Sequence, residues 1–201
     1  MSRYPAMFDR LAGAGRGAFV PFVMVGDPTP DLSEAVVEAL IDGGADALEL
    51  GIPFSDPVAD GPTIQRAHIR ALAAGAGFAN CLEVVSRVRQ RHPDLPIGML
   101  IYGNVPFSVG LEGFYARCAG AGIDSVLLPD VPVRESPAFS AAAEAAGIDA
   151  VYIAPPSSSA RTAPPRTPGG CPFSRGRVKH SRSTGGAPAR SSTGLARRTP
   201  I

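Results

Sequence analysis

The chain has 201 residues, of which 45% are hydrophobic, and its formal net charge is +1, so its length is sufficient for one domain with a buried core. Cys81, Cys118 and Cys171 lack metal-site spacing and cannot all pair within one chain, which excludes a disulfide framework and indicates reduced thiols. Neither a signal-peptide core nor an apolar run of roughly 20 residues is found, so we expect a soluble, cytoplasmic protein without a membrane segment.

Three segments repeat a glycine followed by a short apolar run. The glycine can end a helix in the left-handed conformation, and the apolar run can then enter a sheet. Such units in series indicate parallel strands joined by helices, and thus an α/β fold. The predicted strands are residues 18–25, 44–50, 97–102, 122–128 and 147–153, of which the second, fourth and fifth carry the repeat. The predicted helices are residues 31–42, 63–74, 79–91, 111–119 and 136–146.

Local signals support two of the helix starts. Thr29 precedes Pro30, and a threonine cap followed by proline at the first helical position is a favourable helix start. Asp60, Gly61 and Pro62 open the next predicted helix in the same manner. A simple helix-capping role for Asp60 therefore remains open.

Glu49 lies inside the second predicted strand. Because side chains alternate along a strand, Leu48 and Leu50 face one way and Glu49 faces the other. Its neighbours on that face are the small residues Ala47 and Gly51. An ionised carboxylate is costly to bury alone, so Glu49 is paired, protonated or directed into a polar cavity. One alternative is that Glu49 is a buried carboxylate paired with another residue and takes part in no reaction. The other is that Glu49 belongs to a functional site.

Glu49 and Asp60 are both expected at the carboxyl-terminal edge of the sheet, where parallel α/β folds form their sites. Enclosure would raise the pKa of Glu49 and allow it to act as acid and base, while a hydrogen-bonded Asp60 would stay ionised. Two carboxylates in unlike environments can take different roles.

Several segments resemble one protein family. The run LELGIPFSDP at residues 48–57, followed by ADGPTIQ at 59–65, resembles the signature of the alpha chain of tryptophan synthase. GAFVPFV at 17–23 is similar to the first strand of that family, and DSVLLPDVP at 124–132 is similar to its fourth. The resemblance covers about residues 1–160.

The resemblance implies a TIM (β/α)8 barrel, here incomplete with about five βα units, because a full barrel typically needs about 250 residues. It also implies retro-aldol cleavage of indole-3-glycerol phosphate to indole and glyceraldehyde 3-phosphate. Glu49 would move protons to the indole carbon and from the side-chain hydroxyl, and Asp60 would accept the indole N–H. The predicted substrate pocket consists of Phe22, Leu100, Tyr102, Leu127 and Ile153, for which ordinary core packing is the alternative.

The family implies a partner as well. Its pyridoxal-phosphate beta chain takes indole onward to tryptophan in an alpha2beta2 assembly, so no cofactor and no metal are expected in this chain. The predicted partner contacts are Pro53, Asp56, Pro57, Asn104 and Pro132, with tight turn chemistry as the alternative. Turns fixed by proline lose little entropy on docking.

Residues 161–201 differ in composition from the rest. They contain no Asp or Glu and carry nine basic residues, whereas residues 1–160 have a net charge of −8. Pro, Gly, Ser, Thr and Arg dominate, so we predict a disordered basic tail. The family would continue here with three further strands whose Gly-rich ends hold the substrate phosphate. A frameshift near Arg161 is our hypothesis for the difference.

Three other interpretations remain. In the first, the chain is a catalytically dead remnant that keeps part of the surface for the partner chain, and we expect little or no turnover from this chain alone. The basic tail could bind nucleic acid nonspecifically, although it has no motif. The third interpretation, a barrel glycosidase that uses Glu49 and Asp60, has less support than the second, because the signature around these residues resembles another family. His68, His92 and His180 are scattered, and we expect them to be solvated rather than ligating.

Overall fold

A computed structural model describes residues 2–132 and 134–153. In chain order the elements are α1 (Tyr4–Gly13), β1 (Phe22–Met24), α2 (Pro30–Asp42), β2 (Leu48–Gly51), α3 (Pro62–Ala73), α4 (Phe78–Arg91), β3 (Ile97–Leu100), α5 (Asn104–Val109), α6 (Leu111–Gly120), β4 (Ser125–Leu127), α7 (Pro137–Ala145) and β5 (Asp149–Val151). All five predicted strands are present, in shorter form. The five predicted helices are also present, each with ends within one residue of those predicted.

Two helices were not predicted, α1 and α5. In α1, Tyr4, Met7 and Leu11 are buried at helical spacing and pack on Ala47, the residue before β2, so the signal was present in the sequence. The six residues of α5 include Pro106 in the first turn and are too few to establish a period. Thr29 caps α2 as predicted, because its hydroxyl accepts a hydrogen bond from Leu32 N.

The five strands form one parallel sheet in the order β1-β2-β3-β4-β5. Each strand pairs with the next in the chain, and helices connect them, which is the arrangement of consecutive βα units in a β/α barrel. Within the described residues the sheet does not close, because β1 and β5 are its edges. This agrees with the prediction of an incomplete barrel of about five units.

The two faces of the sheet differ. One face is apolar and packs on the helices; its buried residues include Leu48, Leu50, Ile97, Met99 and Val126. The other face is called the inner face here. Phe22, Glu49, Gly98 and Ser125 form one register row across it. Helix α1 covers its amino-terminal end, where the Tyr4 hydroxyl lies 3.1 Å from Ser125 Oγ.

The amino-terminal edge of the sheet is held by a buried ionic cluster around Asp124. Its carboxylate accepts hydrogen bonds from Arg3 Nη1 and Arg89 Nη2, both at 2.8 Å, and from the Ile97 backbone N–H at 2.9 Å. The Asp124 side chain is 1% exposed. Arg89 also donates to the backbone carbonyl of Gly122, so its guanidinium joins α4 to the start of β4.

Cys81 and Cys118 are free and buried, and burial raises the pKa of each thiol to about 12. The predicted domain boundary at residue 160, the predicted disorder of residues 161–201 and the proposed frameshift lie outside the described residues.

No single helix in the described part of the chain is long and apolar enough to cross a membrane. One pair, α3 and α4, meets that test only when the two helices are added together, and they meet at a bend of 99°.

Candidate active site

Glu49 lies on the inner face of β2, as the alternation of side chains predicted. Its register partners are Phe22 on β1 and Gly98 on β3, so an aromatic ring lies on one side, while on the other the Tyr4 hydroxyl and Ser125 Oγ occupy the place of the missing side chain. Leu48 and Leu50, its neighbours along the strand, are fully buried on the opposite face.

The carboxyl group of Glu49 is partly buried and makes no hydrogen bond or ion pair with any described residue. Burial raises the pKa of Glu49 above its usual range, because the charged form loses hydration without gaining a partner. The predicted direction of this shift is thus confirmed. A carboxyl group of this kind can release and recover a proton closer to neutral pH than an ordinary glutamate.

Gly51 follows Glu49 by two residues on the same face, and its missing side chain leaves room for the Phe22 ring. A Cβ atom at Gly51 would lie 2.6 Å from Cζ of Phe22 and 2.9 Å from Cε of Met24. Both distances are shorter than van der Waals contact, so the Phe22 ring occupies the volume that any larger residue would need. Glycine at this position therefore sets where the ring lies beside Glu49.

Asp60 precedes α3 but does not cap it. The residue at the N-cap position is Gly61, and no side chain caps this helix. Instead Asp60 Oδ2 accepts a 2.6 Å hydrogen bond from the Tyr102 hydroxyl and lies 3.1 Å from His68 Nε2. The Asp60 side chain is 17% exposed, so it lies at the margin between the protein and solvent. The capping alternative is therefore wrong.

His68 was expected to be solvated, and this expectation is wrong. Only 1% of the residue is exposed, and its Nδ1 atom accepts a 2.9 Å hydrogen bond from the Phe54 backbone N–H. The missed signal is spacing: His68 follows Asp60 by eight residues, about two helical turns into α3. His92 is partly exposed and pairs with Glu38. His180 lies outside the described residues.

Tyr102, a predicted pocket residue, is buried immediately after β3. Its hydroxyl donates to Asp60 and accepts from the Ala59 backbone N–H at 2.9 Å. Burial and the hydrogen bond to Asp60 raise the pKa of Tyr102 to about 12, so the phenol stays protonated at neutral pH. Its ring stacks on Phe54 with centroids 5.2 Å apart. Contact of Tyr102 with the polar arm of a substrate stays a prediction.

The other predicted pocket residues lie on the inner face or beyond its end. Phe22 pairs in register with Glu49, and Leu100 pairs with Gly51 and with Leu127. These side chains share the inner face with Glu49; Phe22 begins β1, whereas Leu100 and Leu127 end β3 and β4. Ile153 follows β5 and is 58% exposed. Contact of these residues with a ligand stays a prediction.

The predicted partner contacts lie in three turns at the carboxyl-terminal edge of the sheet, and Asn104 is the residue at which the second turn enters α5. Asp56, Asn104 and Pro132 are exposed, and Pro57 is partly buried. Pro53 is buried, so a direct partner contact does not fit this residue, and its contribution is to the shape of the turn.

Two large apolar residues stand exposed beside these turns, Val58 at 80% and Phe107 at 77%. The Gly103 backbone N–H donates to Asp130 Oδ1 at 2.9 Å, which joins the second turn to the third. The partner role of the turns is not tested by these contacts and stays a prediction.

A surface groove of about 630 Å³ lies between α4 and α6, away from the carboxylates. Its two arginines are already engaged, since Arg87 pairs with Glu34 and Arg117 lies over the Phe78 ring. Among the described residues no cluster of His, Cys, Asp and Glu has the arrangement of a metal site.

Comparisons with known proteins agree on one family. The family model described as "Tryptophan synthase alpha chain" matches residues 8–164. The tryptophan synthase alpha chain of Corynebacterium aurimucosum is 62% identical over 162 residues, which are 81% of this chain and 59% of that protein. That of Vibrio vulnificus is 57% identical and is covered to 60%.

Solved structures give the same result. Tryptophan synthase subunit alpha from Legionella pneumophila matches with a TM-score of 0.78 and 34% identity, over 81% of this chain and 62% of that one. A chain of the tryptophan synthase complex from Pyrococcus furiosus matches with a TM-score of 0.67 and 37% identity, over 71% of this chain and 58% of that one. The chain thus spans about three fifths of the length of the relatives it matches.

Proposed function

This chain belongs to the tryptophan synthase alpha chain family, and from this premise we propose that its five βα units carry the acid–base part of an aldolase site for indole-3-glycerol phosphate. The observation that carries the proposal is Glu49, an unpaired carboxyl with a raised pKa on the inner face of the sheet. The register row of Glu49 lies nearer the amino-terminal ends of the strands than the turn that holds Asp60. The reaction would release indole and glyceraldehyde 3-phosphate.

Glu49 would act first as an acid and then as a base. Its protonated carboxyl donates a proton to C3 of the indole ring, which leaves the ring cationic. The carboxylate then removes the proton of the hydroxyl on the attached side-chain carbon. As that C–O bond becomes a carbonyl, the C–C bond breaks and its electron pair returns to the ring. Glu49 ends the cycle with the same proton count, for which a pKa near the working pH is favourable.

Asp60 would hold the indole nitrogen during this cycle. Its Oδ2 atom is occupied by Tyr102 and lies beside His68, whereas Oδ1 makes no hydrogen bond with a described residue. Oδ1 is thus available to an N–H donor. A carboxylate at this point would stabilise the cationic ring, because the stabilising charge is already fixed before the reaction begins. The substrate itself needs no metal and no bound cofactor for this sequence of steps.

We propose the beta chain of the family as partner. The docking surface would be the turns that contain Asp56, Asn104 and Pro132, together with the exposed Val58 and Phe107. Interaction sites are typically contiguous apolar patches with polar rims, and we infer that Val58 and Phe107 would contribute to such a patch. Pyridoxal phosphate would belong to the partner. The cytoplasmic localisation of this protein stays a prediction.

The activity of the chain by itself is expected to be low. The relatives are longer, and we infer that the grip on the substrate phosphate depends on the part of the family fold beyond the matched region. Binding energy from the phosphate is needed to orient the reacting carbon, and its loss reduces turnover more than binding alone would suggest. A remnant that has lost activity is therefore the second candidate.

The active chain and the inactive remnant can be distinguished by adding the missing part of the barrel as a separate polypeptide. Indole release from indole-3-glycerol phosphate is measured with the purified chain, then with an added segment of the Corynebacterium aurimucosum protein that follows its matched 162 residues. If the site is intact, the segment restores indole release. The Glu49→Gln variant should then lose about 10²–10⁴-fold in kcat, since it removes the acid and base together.

The control for this experiment is Glu144→Gln, on the exposed side of α7, which should retain the restored rate. Equal rates for Glu49→Gln and the unmodified chain would exclude the proposed role of Glu49. Absence of indole from the complemented chain, with folding verified by circular dichroism, would favour the inactive remnant.

A further inference from the structure

The proton positions around His68 follow from its two partners. The Phe54 backbone N–H can only donate, so the Nδ1 atom that it meets at 2.9 Å must carry no proton. The ring proton of neutral His68 is therefore on Nε2, which lies 3.1 Å from Asp60 Oδ2. His68 thus donates to the carboxylate, and the main chain at Phe54 fixes which nitrogen does so.

Tyr102 fixes the same oxygen from a second direction. Its hydroxyl oxygen accepts the Ala59 N–H at 2.9 Å, and its proton is directed to Asp60 Oδ2 at 2.6 Å. Two donors on Oδ2 prevent the carboxylate from rotating about its Cβ–Cγ bond. The other oxygen, Oδ1, is left without a hydrogen bond from the described residues, and the Asp60 side chain as a whole is 17% exposed.

We propose that His68 is a positioning residue that holds Asp60 in one orientation, with Oδ1 presented to an N–H donor, and that joins this carboxylate to Phe54 in the predicted docking turn. The proposal rests on the proposed function for the identity of the donor, an indole N–H. A displacement of the turn at Phe54 would move His68, and through it Asp60. The turn and the carboxylate are one hydrogen-bonded unit.

A histidine that only fills space predicts different behaviour. In that case the ring could be replaced by an apolar side chain of similar size, and the Asp60 carboxyl would keep its environment. In the proposed role the donor on Nε2 matters, so a side chain with a donor at that point should preserve the carboxylate. Glutamine places an amide N–H near the position of Nε2, whereas asparagine can only replace Nδ1, the acceptor for Phe54.

The test is NMR of the full chain with labelled histidine and aspartate. In the unmodified chain His68 should show a protonated Nε2 and a bare Nδ1. The Asp60 13Cγ signal should stay in place in His68→Gln and should shift in His68→Asn and in His68→Leu. The control is His92→Gln, a partly exposed histidine paired with Glu38, which should leave the Asp60 signal unchanged.

A proton on Nδ1 of His68, or an Asp60 signal unmoved in both His68→Asn and His68→Leu, would overturn the proposal. If His68→Leu fails to fold, the Gln and Asn variants decide between the outcomes, because each removes one of the two hydrogen bonds. In the complemented barrel, His68→Asn should lower kcat about 10–100-fold with little change in KM, and His68→Gln should retain most of it.

The spectra need no turnover, so the two proposals fail separately. A complemented chain that releases no indole while His68 and Asp60 give the expected spectra would count against the proposed function alone. Restored indole release together with an unmoved Asp60 signal would count against the role of His68 alone.

Discussion

The two edges of the parallel sheet treat their carboxylates in opposite ways. At the amino-terminal edge, Asp124 is buried and accepts hydrogen bonds from Arg3, Arg89 and a backbone N–H. On the inner face, Glu49 has no partner among the described residues, although its row includes Ser125, the residue after Asp124. Beyond the carboxyl-terminal edge, Asp60 keeps one oxygen free of hydrogen bonds from them. Carboxylates are therefore saturated at the amino-terminal edge and left available on the inner face and in the turn that holds Asp60.

The difference separates stability from chemistry within one sheet. A saturated carboxylate has no capacity left for a substrate, but it joins loops that would otherwise separate. An unsaturated carboxylate weakens the fold, because its hydration is lost without replacement, and it can bind or transfer a proton. In β/α barrels the amino-terminal edge generally serves stability and the carboxyl-terminal edge serves function.

The largest expected effect comes from breaking the saturated edge. Asp124→Ala removes the charged partner of Arg89, whose side chain is only 11% exposed, and leaves a buried cation held by backbone carbonyls alone. Removal of one member of a buried pair typically costs about 3–5 kcal/mol of stability. Urea unfolding followed by circular dichroism measures this loss.

Asp9→Ala is the control for Asp124→Ala, because Asp9 is exposed on α1 and its replacement should change stability by less than about 0.5 kcal/mol. Equal midpoints for the two variants would contradict the view that the amino-terminal edge carries stability.

A smaller effect is expected at Gly51, on the functional side of the comparison. Gly51→Ala forces Phe22 and Met24 to move, since its Cβ would lie within 3 Å of both. Overpacking of this kind typically costs about 1–3 kcal/mol, and the lower end is expected because both contacts involve the far ends of side chains. The measurement is again the unfolding midpoint, with the Phe22 ring followed by NMR.

Gly17→Ala is the matched control, because nothing lies within 4 Å of its added Cβ. A Phe22 ring that keeps its position in Gly51→Ala would show that glycine is not what places the ring beside Glu49.

The layout of the fold was predictable because its signals are local. The glycine before each apolar run ends a helix and starts a strand, so Gly44, Gly122 and Gly147 marked three of the five units, and all three have positive φ. The face of Glu49 followed from alternation in a single strand. The packed helix α1 was missed although Tyr4, Met7 and Leu11 have helical spacing.

The hydrogen-bonded part of the site was not predictable in the same way. The contact of Tyr102 with Asp60 spans 42 residues and depends on two adjacent strands bringing their following turns together. His68 was assigned to solvent, because a lone histidine in a helix gives no local sign of what it faces. A hydrogen-bond partner on a neighbouring strand can be identified only when the strand register is known. Pro53 was assigned to the surface because its packing, too, cannot be read from the sequence alone.

The smallest expected effect has the opposite sign and concerns Glu49 itself. Its pKa is raised in the folded chain, so between the usual glutamate range and the raised value the folded state binds more protons than the unfolded state. Stability attributable to this group is therefore complete at low pH and falls as the pH rises through that window. Glu49→Gln, which cannot ionise, should gain stability relative to the unmodified chain at neutral pH.

The measurement is urea unfolding of both chains at a series of pH values from the usual glutamate range, about 4, up to neutral pH. The difference between Glu49→Gln and the unmodified chain should grow with pH and then level off above the raised pKa. Glu144→Gln controls for the loss of one exposed charge. A difference that shrinks as the pH rises would mean that Glu49 gains a partner on folding. Glu49 would then be as saturated as Asp124, and the contrast between the amino-terminal edge and the inner face would not hold.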